Sequence, residues 1–461
     1  MTFQMKKVTQ AVVCAAGLVG ISGAAHAVNW LQLQGTEPSY SVARAKLWGF
    51  IQPEYQYTKN TPLKGGPFAG KNAVFNQQRP DLSSPSSFNV LRARIGVRGV
   101  VFPLDDRINY FFLAEFGNNG LTQPTGHAAQ MSDASITLNY IPHARIRVGE
   151  FKYPGSEEGM MGIPAFHFVN FSQVTNQMML ERQFASTTGS GPLYNPQGVL
   201  LGAQDANLPN GPIGAFRDTG VQVFDWFDVG SWEHAYAVMV GNGSGTNLTD
   251  NNHNKDLYLY WSTAKIFGGK GPQRQSWKTY VWWQDGKRTI DVYGNKSTVA
   301  TQQTFDRKRY GIGTTFRRGK IRADAEYMRG EGMIFNSTSG GAAPGQSGSV
   351  PPNAHLVSDF NILPNEKSNG WYIDGGYEVM PKLWLEARYD RYNRGTEVAT
   401  DERDFKTTTI GVEYFFTKAS RFIVNYEFRK ADAPAFSSSA PANQVLDTFD
   451  NRFSTQLLVV F

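Results

Sequence analysis

Cysteine is all but missing from this 461-residue chain, and the only one is Cys14. It lies within the apolar stretch from Ala11 to Ile21, after Lys6 and Lys7 and before "AHA" at Ala25 to Ala27, which places small residues at the −3 and −1 positions that a secretory peptidase reads. Residues 1–27 are therefore expected to be a secretory signal peptide, and its removal leaves a mature chain without thiol or disulfide. A lipoprotein would carry its cysteine at the end of the apolar stretch, not inside it. Loss of Lys6 and Lys7 takes the formal charge from +6 to +4, and no run of Lys or Arg remains. Nucleic acid is thus not an expected partner. After the first thirty residues no apolar run reaches helix-spanning length, which argues against a helical membrane protein. Six histidines remain, His127, His143, His167, His234, His253 and His355, without metal-ligand spacing. No Ser or Asp is set against a His in a pattern that marks a hydrolase. "GNGSGTN" at Gly241 to Asn247 leaves a strand with no helix after it, so it is no phosphate cradle. The expectation is no enzyme, no metal and no cofactor.

What is present is period-two alternation. Charged residues make up only 18% and aromatics 13%, with 47 Gly, 20 Tyr and 10 Trp, a composition suited to strands and turns. In "VLRARIGVRGVVF", Leu91, Ala93, Ile95, Val97 and Val101 share one face and Arg92, Arg94 and Arg98 the other. "RINYFFLAEFG" sets Ile108, Tyr110, Phe112, Ala114 and Phe116 against Asn109 and Glu115, and similar patterns recur to the C-terminus. Sixteen strands are predicted: 46–58, 88–102, 107–117, 132–141, 144–152, 217–226, 231–241, 255–267, 276–286, 305–317, 320–331, 370–380, 382–393, 403–416, 421–431 and 451–461. The segments 255–267 and 276–286, with "LYLYW" and "YVWW", alternate poorly.

Two readings compete for this pattern. A soluble sandwich would hide the apolar face in a dry core, whereas a membrane barrel would turn it toward lipid. Loop lengths favour the barrel. The connections run alternately long and short, with 59–87, 153–216, 332–369 and 432–450 long and turns such as "PH" after 141 and "RG" after 317 short. About eleven residues at ~3.3 Å rise, tilted by ~45°, span roughly 25 Å of apolar band. Tyr140, Tyr377, Tyr389, Tyr414, Phe416 and Phe461 suit aromatic girdles at the lipid headgroups. The expected fold is all-β: a sixteen-stranded antiparallel transmembrane β-barrel over 46–461, with long extracellular loops and short periplasmic turns in a Gram-negative outer membrane. Residues 28–45 form a periplasmic N-terminal lead in this reading. The terminal "NRFSTQLLVVF" resembles the aromatic-ended signal that barrel assembly machinery recognises, with Phe461 as the contact.

"LRARIGVRGVVF", "ARIRVGEFKYPGSEE", "FRDTGVQVFDW" leading to "YAVMVGNGSG", and "IRADAEYMRG" look like successive blocks of the phosphate-selective porin O and P family, in the family's order over about residues 88 to 331. The resemblance implies a sixteen-stranded general or anion-preferring diffusion channel assembled as a homotrimer. The pattern is followed only in part, because the arginine pair expected in the first block reads Leu91-Arg92 and acidic residues share the inferred lumen.

Parity puts Arg92, Arg94, Arg98, Arg145, Arg147, Arg309, Arg322 and Arg388 on the inner wall, where they could draw small anions. Glu54, Glu115, Asp324, Glu326, Glu386, Asp390 and Glu427 share that wall. Arg322/Asp324/Glu326 and Glu386/Arg388/Asp390 suit bracing pairs. Arg92, Arg94, Arg98, Arg145 and Arg147, with few acids in their strands, suit solute contact. The loop 153–216 is too long for a hairpin, and its Met160, Met161, Ile163, Phe166, Phe168 and Phe171 suit a fold-back into the barrel mouth. Lys152, Glu157 and Glu158 then stand near a constriction, the alternative being an external loop packed on its neighbours. The functional expectation is a porin passing small hydrophilic or anionic solutes such as phosphate. The alternative is a non-conducting barrel scaffold, an adhesin or a sheath for a redox partner.

Overall fold

The computed structural model describes residues 29–36, 44–66, 69–76, 85–101, 103–118, 129–181, 193–194, 200–202, 215–246, 250, 252–269, 271–293, 300–335 and 362–461. Sixteen strands close into one antiparallel barrel. They are β1 (Lys46–Thr58), β2 (Ser86–Val101), β3 (Asp105–Glu115), β4 (Gln130–Ile141), β5 (Ala144–Lys152), β6 (Arg217–Val229), β7 (Trp232–Gly241) and β8 (Asp256–Gly268). β9 (Gln275–Tyr293), β10 (Ala300–Arg318), β11 (Ile321–Glu331), β12 (Lys367–Met380), β13 (Leu383–Arg394), β14 (Arg403–Phe415), β15 (Arg421–Asp432) and β16 (Arg452–Val460) complete it. Each expected strand is found. The main differences lie in β9 and β10, which run as far as Tyr293 and start as early as Ala300 because they pair with each other along their full length. Their ends, "TIDVY" and "ATQQT", lie beyond the predicted bounds; "ATQQT" offers no apolar alternation to follow, whereas Ile290 and Val292 of "TIDVY" share one parity.

Alternation gives each strand a different inner and outer surface. Ile51, Ile95, Phe112, Ile136, Val148, Val238, Ile312, Ile373, Leu385, Ile410 and Val459 are exposed on the outside, while Gln52, Arg94, Asn109, Thr137, Arg147, Gln284, Glu326, Asp390, Glu413 and Gln456 are buried inside. The two poorly alternating segments obey the same rule with aromatics on both sides. Tyr258, Tyr260, Tyr280 and Trp282 are buried inward, and Leu259, Trp261 and Val281 face out. Of the expected girdle, Tyr140, Tyr377, Tyr414, Phe416 and Phe461 are exposed and Tyr389 is half-buried. The tight turns at one rim need the left-handed backbone that hairpins of matching twist require. Gly230 and Gly319 adopt it at φ 62° and 58°, and His143 and Lys382 at 61° and 72°.

The closing seam between β1 and β16 extends to Phe461. Gly49 N–H donates to the Phe461 carbonyl at 2.9 Å and Phe461 N–H to that of Gly49 at 3.0 Å, which continues the β1–β16 ladder to the end of the chain. The Phe461 ring lies so close to Gly49 that a Cβ there would stand 2.6 Å from it and 2.5 Å from the Arg94 carbonyl.

The interior is occupied. Residues 29–36, which hold helix α1 (Trp30–Leu33), and residues 153–181, which hold α2 (Glu157–Met160), pack against inward-facing side chains of the wall. Residues 29–36, which belong to the expected lead 28–45, lie against this inner wall, where Trp30 and Leu31, 4% and 1% exposed, are apolar groups that gain by leaving water. Segments 59–66, 69–76 and 433–451, with α3 (Pro441–Leu446), meet over the opposite rim from the tight turns. There Thr61 Oγ1 donates to Asp450 at 2.9 Å, and the Phe75 and Phe449 rings meet edge-on at 5.3 Å.

Substituting Gly49→Val drives a side chain into Phe461 and the Arg94 carbonyl. The expected outcome is a weakened β1–β16 seam, read as loss of the compact band that folded barrels give on an unheated detergent gel, at a lower temperature than for the unaltered chain.

Candidate functional site in the barrel lumen

Charges on the inner wall are unevenly divided. On β2, β5 and β6 stand Arg92, Arg94, Arg98, Arg145, Arg147, Lys152 and Arg217, faced by Glu115, Asp133, Glu150 and Asp225. On β11 to β15 stand Asp324, Glu326, Asp374, Glu386, Asp390, Glu413 and Glu427, accompanied by Arg322, Arg388, Arg394, Arg403, Arg421 and Arg429. Burial raises the cost of any unpaired charge, so partners decide what each group can do.

On the cationic wall the partners come partly from the lead. Arg147, with no exposed surface, donates to the Leu31 carbonyl at 3.0 Å and to Thr36 Oγ1 at 3.3 Å, and its guanidinium lies 4.3 Å from the Phe224 ring centre. Arg98 donates to the carbonyls of Leu33 at 3.0 Å and Thr36 at 3.3 Å. The remaining cations use wall acceptors. Arg94 Nε bonds Glu115 at 2.6 Å, Arg92 bonds Gln52 at 3.1 Å, Arg217 bonds Asp133 at 2.9 Å, and Arg145 bonds Asp225 at 3.0 Å and Asn139 at 2.7 Å. The lead's carbonyl oxygens thus occupy donors of both Arg98 and Arg147.

The loop after β5 is held by the wall of β11 to β15 and by β9. The Glu157 carboxylate accepts from Lys278 Nζ at 2.7 and 2.8 Å and from Trp30 Nε1 at 2.8 Å, so it ties the loop to both the wall and the lead. Its own N–H donates to Glu326 at 3.1 Å. Glu158 accepts from Ser172 Oγ at 2.5 Å and from Arg388 at 3.2 Å. Lys152 donates to the Met161 carbonyl at 2.7 Å. Arg388 also reaches Asp390 at 3.4 Å and the Asn170 carbonyl at 3.0 Å, and Arg421 donates to the carbonyls of Pro164 and Phe166. Arg322 joins Asp324 at 3.0 Å and also Asp374 and Glu386. Arg309 donates to the carbonyls of Gly332 at 2.9 Å and Met333 at 2.8 Å.

His167 of the loop, Glu386 and Glu413 bring ligand atoms within 4.8 Å of one another, the one such group among the described residues. Burial, then Arg322, Arg317 and Arg421, push His167 well below its ordinary value, so the imidazole is neutral at neutral pH. Both carboxylates are already engaged, Glu413 by Arg421 at 2.6 Å and Glu386 by Arg322. The group serves as an anchor for the loop.

Few of the charges assigned by parity to the inner wall meet open water. Arg92, Arg94, Arg147, Arg309, Arg322, Arg388, Glu115 and Glu326 are all buried, and Arg98, Arg145 and Asp324 are partly covered. Parity missed Lys278, because aromatics on both faces of β9 hid its register. It also missed Arg421, although "RFIVNYEFRK" alternates clearly and sets Arg421 on the face of Glu427. Trp30 carried no signal, since the lead has no period.

Removing the Trp30 side chain deletes both its burial and its bond to Glu157, at a cost of about 3–5 kcal/mol to the seated lead. In a Cys14→Ser background carrying Gln34→Cys, Trp30→Ala is expected to raise the maleimide labelling rate of residue 34 by roughly a hundredfold or more. Equal rates would mean that the lead is not seated through Trp30.

No family model matches the chain, and no curated protein matches it. Solved structures do. The anion-selective porin from Comamonas acidovorans is 12% identical with a TM-score of 0.48, over 90% of this chain and 99% of that one. The outer membrane channel DcaP of Acinetobacter baumannii is 13% identical with a TM-score of 0.47, over 90% and 97%. OmpT, an outer membrane protein of Vibrio cholerae in its trimer form, is 12% identical with a TM-score of 0.47, over 90% and 99%.

Proposed function

We propose that the protein is an outer-membrane diffusion porin for small hydrophilic solutes, with a preference for anions, and that it is not an enzyme. The observation that carries this reading is a closed barrel with an apolar outer face and a charged inner wall, on which β2, β5 and β6 carry more cations than carboxylates. A low-dielectric wall focuses such charge and raises the local concentration of oppositely charged solute. The apolar exterior agrees with outer-membrane lipid as its surroundings, after release of a signal peptide at residues 1–27. Phosphate as a solute, a homotrimer as the assembly and Phe461 as a contact for barrel assembly machinery extend the reading along the family resemblance. Arg98 and Arg147 on one side and Glu157 and Glu158 on the other are the groups between which a solute would pass once the lead has moved.

A second reading, a non-conducting scaffold, draws on the packed interior. The lead and the loop bury most of the inner charges, so in the arrangement described the cationic wall is covered.

Planar-bilayer recording of the mature chain, and of a chain lacking residues 29–36, decides between them. The expected result is stepwise conductance, larger in the shortened chain, with a reversal potential toward the anion side in a salt gradient. Absence of steps in both, with the barrel shown to be folded, supports the scaffold instead.

A further inference from the structure

Between the lead, the cationic wall and the loop lies a half-open cavity of about 110 Å³. Much of its lining is aromatic: Trp48, Phe50, Phe111 and Phe151 all face it. Trp48 stands 6.3 Å from Phe50 and 5.9 Å from Phe111, ring centre to ring centre, which makes a continuous apolar pad. The charged groups at the edge of this pad are mostly of one sign. Arg94 lies 5.8 Å over the Phe50 ring and Arg98 5.7 Å over the Phe111 ring, and Lys152 and Arg217 also reach the cavity. Asp133 is the one carboxylate on the lining among the described residues, and Arg217 engages it. Among the described residues Lys152 donates to a single acceptor, the Met161 carbonyl, whereas an ammonium carries three donors.

An inorganic anion gains little from this combination. Phosphate would have to shed water against aromatic faces where the Trp48 indole N–H is the one donor left without a partner among the described residues, and desolvation with so few replacement bonds is unfavourable. A neutral apolar molecule would leave the excess positive charge unused. We propose that the cavity binds a small amphiphilic carboxylate: one carboxylate, directed at Lys152 and Arg98, on an apolar body no larger than a single ring or a short chain. The volume sets that limit, since an apolar cavity of roughly 150 Å³ holds benzene and this one is smaller but open on one side. Trp30, Leu33 and Gln34 of the lead form part of the lining, so a bound carboxylate and the lead share a surface. The inference deepens the porin reading by naming a solute class, and rests on that reading only for how the ligand arrives.

Titration calorimetry on the mature, detergent-solubilised protein tests it, with benzoate as the probe and benzyl alcohol and inorganic phosphate as comparators. Benzoate is expected to bind saturably, once per chain, at least about tenfold more tightly than either comparator, a difference of ~1.4 kcal/mol. Lys152→Gln and, as a second variant, Arg98→Gln are each expected to weaken benzoate about tenfold and leave benzyl alcohol unchanged, while Phe50→Leu weakens both. Unheated-gel mobility verifies that each variant is folded. The proposal is overturned if folded protein shows no saturable benzoate binding, if phosphate binds as tightly as benzoate, or if both cation variants bind benzoate normally. Chloride currents recorded without benzoate test the porin reading separately. Benzoate binding without conductance retires the channel and keeps the site, and conductance without benzoate binding does the reverse.

Discussion

A charge taken out of water must find a partner, and the interior of this barrel is organised by that requirement. Arg147, Arg309, Arg388 and Arg421 have almost no exposed surface, yet each meets backbone carbonyls or carboxylates supplied by segments folded into the lumen. Buried ion pairs of this kind give little net stability, because desolvation cancels much of the attraction. They do fix position. Breaking one leaves an unpaired charge in a dry place, so the loop after β5 and the lead each have one seat that satisfies the wall.

The outer face answers to the opposite constraint. In a hydrocarbon setting the backbone must pair all its N–H and C=O groups within the sheet, and a closed ladder leaves no edge. The exchange of hydrogen bonds between Gly49 and Phe461 is the last link in that ladder. Side chains outside carry no polar burden, and Ile, Val, Leu and aromatics occupy them almost throughout. Inside and outside are thus set by two solvents, and the strand's alternation is the device that serves both.

Glu157 connects these parts. Its carboxylate takes Lys278 from the wall and Trp30 from the lead, so one side chain of the loop holds two other elements in place. Displacing the lead would cost the loop this partner, and Arg98 and Arg147 their carbonyl acceptors.

The sequence by itself determined the barrel. Alternation along "VLRARIGVRGVVF" or "KLWLEARYDRY" needs only local chemistry, because a strand shows its two faces whatever it pairs with, and loops sorted by length reveal which rim each turn occupies. Parity likewise assigned eight arginines to the inner wall, although it passed over Arg421. It did not tell what they touch. The ends of β9 and β10, the inward Lys278 among aromatics, and above all the lead were decided by tertiary structure. Residues 29–36 have no period, and their place follows from Leu31, Leu33 and Thr36 meeting arginines more than sixty positions away, as in the Arg98 to Leu33 contact, a match that exists only once the barrel has closed.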